Sequence, residues 1–123
     1  MPNLEDLVPP LDLCYKRRIG DFAESVFVWN VRCSPDKIQL IPRSMWDRDG
    51  YICAAPTLAE ILAKMAECPQ RFNSVTCEAD GTDFCVSAFV PYRGKPGSKL
   101  IEFRDTNAAA AALELWLYGL KGI

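Results

Sequence analysis

Residues 107–123, NAAAAALELWLYGLKGI, decide how the rest of this chain has to be arranged. Between Asn107 and Leu120 the only charge is Glu114. A surface helix carries one apolar stripe and one polar face, whereas a helix apolar nearly all round is buried or covered by a partner. The C-terminal segment is therefore expected to be a structural centre, with Thr106 or Asn107 as its N-cap. The five consecutive alanines let a sheet approach closely, and Leu113, Trp116, Leu117 and Leu120 are the expected interface. If one protomer left that helix partly uncovered, its residual apolar face would predict a symmetric homodimer.

The segments before it read as strands. In 99–104, Ile101 and Phe103 point inward. Residues 73–79 alternate, Asp80-Gly81-Thr82 has the chemistry of a tight hairpin turn, and 83–92 returns as the second arm. Upstream, Thr57-Leu58-Ala59-Glu60 matches a capping box, and Pro69 closes the helix that follows. Leu58, Ile61, Leu62 and Met65 form its apolar stripe. Residues 25–32, SVFVWNVR, are apolar on both faces and predict an interior strand, paired through Ser34-Pro35-Asp36 with 37–41. Residues 51–55 predict a short strand, and 11–18 a short helix after Pro9-Pro10. Hairpins punctuated by helices predict a single α+β domain. Its mostly antiparallel sheet, of roughly four to six strands, would pack against two to three helices.

The chain has 123 residues, half of them apolar, with 14 basic and 16 acidic side chains for a net charge of −2. That length supports one domain with its own core. The charge balance argues against nucleic acid as a bulk partner, which usually demands a basic surplus. Residues 1–12 contain no basic region followed by an apolar run, as a secretory leader would. No apolar run reaches the roughly 20 residues of a membrane span. The expectation is a cytoplasmic protein without a membrane partner, its six cysteines reduced and packed as small hydrophobes.

There is no histidine. That removes the commonest general base, the commonest metal ligand and every Ser-His or Cys-His nucleophile. No C-x-x-C pair supplies a zinc site, and Asp47-Arg48-Asp49-Gly50 lacks the outer ligands of a calcium loop. The loop 93–99, RGKPGSK, has glycines and lysines but not the spacing of a phosphate-binding loop. Glu78, Asp80 and Asp83 cluster at a hairpin tip, where carboxylates are usually hydrated. No catalytic residue, metal ligand or cofactor site is assigned, and a histidine-free enzyme ranks below the binding alternatives.

Two groups remain as candidate contact residues. Met45 and Trp46, flanked by Arg43 and Arg48 in a polar loop, have the composition of an interaction hot spot. The plainer reading is that Trp46 folds back over the core. Lys16, Arg17 and Arg18, together with Arg93, Lys95 and Lys99, could contact a phosphate backbone if they converged on one face. The primary expectation is a non-enzymatic accessory or protein-interaction protein. The alternative is a small nucleic-acid-binding or nucleic-acid-mimicking modulator.

Three phrases, LEDLVPPLDLC at 4–14, APTLAEIL at 55–62 and AALELWLYGLKGI at 111–123, together resemble a group of small uncharacterised proteins encoded by phages and mobile elements of gut bacteria. They cover roughly a quarter of the chain as a helix entry, a capping box and a buried helix, all structural features. The resemblance implies a genomic setting and no reaction.

Overall fold

The computed structural model describes residues 4–17, 20–31, 38–48 and 50–121. The expected Ser34-Pro35-Asp36 turn and Arg18 lie outside them. The fold is α+β, and among the described residues six strands are divided between two antiparallel three-stranded sheets instead of one larger sheet. In the first, β1 (Phe27–Val31) runs between β2 (Ile38–Pro42) and β3 (Tyr51–Ala55). The second is a meander of β4 (Asn73–Asp80), β5 (Asp83–Pro91) and β6 (Ser98–Asp105). The helices are α1 (Leu11–Cys14), α2 (Leu58–Ala66) and α3 (Ala108–Lys121).

Helix α3 lies where several of these elements meet. It packs against β5 and β6 on one side and against α2, α1 and the 3-10 turn Leu4–Leu7 on others. A sheet covers one face of a helix, so a helix that is apolar all round needs further cover. Every residue from Ala109 to Leu113 is buried, as are Leu115, Trp116 and Gly119. Leu117 and Leu120, expected in the interface, are only half-buried, and Leu115 takes the deeper position. Cover of α3 is therefore incomplete at Leu117, Tyr118 and Leu120.

Trp116 is the centre of the core, 1% exposed. Phe22 meets it edge-on at 5.8 Å and Phe72 stacks on it at 5.4 Å. Its indole N–H donates to Asp21 Oδ2 at 3.2 Å, so burying the ring leaves no orphaned donor.

Local chemistry fixes the helix starts. Glu60 N–H donates to Thr57 Oγ1 at 3.3 Å and Thr57 N–H to Glu60 Oε1 at 2.9 Å, the expected capping box. Glu60 Oε2 also accepts from Val26 N–H at 3.2 Å, tying α2 to the entry of β1. Of the two caps expected for α3, Asn107 is the one used: its Oδ1 accepts from Ala110 N–H at 3.1 Å. Asn107 Nδ2 donates to Val8 O at 2.7 Å, and the Trp29 indole donates to Pro9 O at 3.0 Å. These two bonds strap the buried Val8-Pro9 segment across the start of α3.

β1 is covered on both faces as its apolar pattern predicts, with Val28 and Asn30 buried on one and Trp29 on the other. Val26, just before the strand, is exposed. Helix α1 spans only Leu11–Cys14, shorter than the expected 11–18. Its first turn follows Pro10, whose fixed φ suits a helix start.

Candidate binding cleft

The topology of the first sheet determines what becomes of the Met45-Trp46 loop. β2 and β3 flank β1 and are both antiparallel to it, so they run in the same direction. The connection 43–50 leaves beside Phe27 and must re-enter beside Val31, which carries it the length of β1. Arg43 is anchored in that path: Nε donates to Ser25 O at 2.8 Å and Nη2 to Ser25 Oγ at 3.1 Å. Trp46 is half-buried and engaged within the fold. Met45 stays 71% exposed, and Arg48 is exposed with a left-handed backbone. Two of the four candidate contact residues are thus tied into the protein.

The basic candidates occupy different elements. Lys16 lines a shallow groove with Glu114, Tyr118 and Lys121. Arg17 turns inward, its guanidinium beside the Cys53 thiol. Arg93, Lys95 and Lys99 are exposed around the β5–β6 connection, where Lys95 Nζ lies 4.5 Å from the centre of the Tyr92 ring. Lys99 is about 13 Å along β6 from Phe103, the strand residue that borders the Lys16 groove.

Most of the ionisable groups shifted by burial are thiols. Burial pushes the Cys14 thiol up to about 12 and raises Cys53, Cys77 and Cys85 as well. These thiols are protonated at neutral pH, and the protonated form is the poor nucleophile. The Glu114 carboxyl is raised by burial and then by Asp105, with Lys16 opposing. At the hairpin tip, Asp80 is ion-paired with Arg104 across the sheet. Among the described residues, no three His, Cys, Asp or Glu side chains group to hold a metal.

An apolar cleft of about 760 Å³ opens instead where α2 and α3 begin. Its lining combines Leu7 of the 3-10 turn, Leu58 and Ala59 of α2, Phe84 of β5, and Ala108 and Ala109 of α3. Each side chain is there for a structural reason. Phe84 shares a face of β5 with Val86, Ala88 and Val90, all fully buried beneath the helices. It stands opposite Asp105 at the strand end, before the first turn of α3 can cover it, and stays 37% exposed. Leu7 is held over the opening by the Val8-Pro9 strap and is 45% exposed. The small side chains of Ala108 and Ala109 leave the space unfilled.

None of the residues singled out as contact candidates from the sequence lines this cleft. Nothing in the sequence separates its lining residues, Leu7, Leu58 and Phe84 among them, from ordinary core residues. The chain matches no protein-family model, no curated protein and no solved structure.

Proposed function

We propose that this chain is a non-enzymatic interaction protein that grips an apolar segment of another protein in the cleft between Leu7, Leu58, Phe84 and Ala108. The observation that carries the reading is the cleft itself: large apolar side chains left partly in water around a concave, preformed opening. Its volume lies in the range of roughly 300–1,000 Å³ typical of binding pockets, and contiguous exposed apolar surface marks interaction sites. The raised thiols and the absence of histidine support a binding role over a catalytic one. The five described cysteines are free, which fits the reducing cytoplasm. No described helix is long and apolar enough to cross a membrane. An accessory role in a phage or mobile element is the setting that the sequence resemblance implies.

The test uses Nile red, a neutral dye whose emission shifts to the blue in apolar surroundings. Wild-type protein should bind it in the folded state. Ala59→Trp, which fills the cleft from an exposed position on the first turn of α2, should abolish binding while leaving the far-ultraviolet circular dichroism unchanged. No blue shift with wild-type protein, or an equal shift with the filled variant, refutes the assignment.

A further inference from the structure

The apolar cleft does not end at Asn107. A second, more polar groove of about 320 Å³ continues from it, sharing Asp6, Thr106 and Asn107. Its walls carry three carboxylates, Glu5, Asp6 and Asp105, and its floor is Pro10 and Trp29. Among the described residues, no lysine or arginine lines either part. Resting on the reading above, we infer that the natural occupant is a basic amphipathic peptide segment: apolar side chains seated between Leu7, Leu58 and Phe84, with Lys or Arg beside them reaching the Glu5–Asp6–Asp105 groove.

Three features support this. Asp6 lines both parts, so its charge stands at the junction, next to the apolar Leu7. A segment whose apolar and basic residues adjoin therefore meets matching surface on both sides of that junction. Second, Glu5 and Asp6 are exposed and Asp105 is half-buried. One Asp105 oxygen already accepts from Asn107 N–H at 2.8 Å, which holds its carboxylate at the groove. Third, the Trp29 indole N–H at the groove is already bonded to Pro9 O, so that ring adds no unpaired donor facing an incoming cation. The same carboxylates repel phosphate, which disfavours nucleic acids and anionic membranes as occupants of this site.

The probes are a helical Leu/Lys peptide, with leucines at i, i+3, i+4 and i+7, and its counterpart carrying Glu at every Lys position. Each competes with Nile red on the wild-type protein and on Glu5→Gln/Asp6→Asn, and direct binding to Ala59→Trp is followed by the fluorescence anisotropy of a dye-labelled copy of each peptide. The Lys peptide should displace the dye at about tenfold lower concentration than the Glu peptide, the size expected of two or three exposed ion pairs. That preference should shrink with added salt and fall sharply in Glu5→Gln/Asp6→Asn, where Asp105 alone remains, and neither peptide should bind Ala59→Trp. Equal displacement by both peptides overturns the inference while the apolar cleft stands. Failure of Nile red to bind removes the cleft reading itself. Dodecyltrimethylammonium competing as well as the Lys peptide assigns the site to a small cationic amphiphile and overturns a peptide occupant. A dimer that dissociates in Ala59→Trp assigns the cleft to a second copy and overturns it too.

Discussion

Gly119→Ala in α3 should destabilise this protein, against the usual behaviour of a helical glycine. In a helix interior, alanine is favoured over glycine by about 0.8–1.0 kcal/mol, so helix propensity alone predicts a gain. At position 119 an added Cβ would stand 3.2 Å from Phe72 Cδ1 and closer still to Cε1 and Cζ. Non-bonded carbons rest at about 3.5–4.0 Å, so the ring would have to move. Phe72 is buried and stacked on Trp116 with 18° between the planes, so it cannot swing aside without disturbing the centre of the core. Overpacking costs about 1–3 kcal/mol. Spoiling the stacked pair adds about 0.5–1.5 kcal/mol. After subtracting the propensity gain, the net loss is about 2 kcal/mol, from the balance of these ranges. For a chain of this size that lowers the melting temperature by about 8 °C. Thermal and urea unfolding followed by circular dichroism would measure it. A melting temperature that rises by a few degrees, as propensity alone dictates, would refute the argument. Phe72→Leu supplies the control: in that background Gly119→Ala should become neutral or stabilising. An equal loss in both backgrounds would exonerate Phe72.

Trp116→Ala removes the buried ring that Phe22 and Phe72 enclose, and should cost about 3–5 kcal/mol; an unchanged melting temperature would contradict its placement. Asn107→Ala deletes both the α3 cap and the bond to Val8 O. It should cost about 1–2 kcal/mol, the upper half of the capping range, and weaken Nile red binding by loosening the strap that holds Leu7; undiminished dye binding would show that the strap does not shape the cleft. Glu114 titrates above its ordinary value of 4.5 in the folded protein because of burial, Asp105 adding to the effect. A group with a raised folded value contributes stability that is full below 4.5 and lost as pH rises through that raised value. Glu114→Gln should therefore gain on wild type progressively as pH rises through that window, and a constant difference in urea midpoints across it would dismiss the burial of Glu114.

Much of the architecture was legible residue by residue because its causes are local. The Thr57–Glu60 box, the Gly81-Thr82 turn between β4 and β5, and the alternation in β4 each depend on neighbours a few positions away. Short-range hydrogen bonding and side-chain period are properties of the sequence itself. So is the burial of α3, because an all-round apolar surface must find cover somewhere. The partition into two sheets was decided elsewhere. Among the described residues β1 pairs with β2 and β3 while β5 pairs with β4 and β6, a choice of partners among segments far apart in the chain. The fate of the Met45-Trp46 loop likewise turned on strand order: only with β1 between β2 and β3 does the connection have to run along it. The cleft is the clearest case. Leu7, Leu58, Phe84 and Ala108 are ordinary core-type residues in their own segments, and none of them is fully buried in the fold. Exposure at a point in space depends on every element that could cover it, and no single stretch of sequence contains that information. The sequence by itself determined what each segment had to bury, and the tertiary structure alone decided where that burial stopped short.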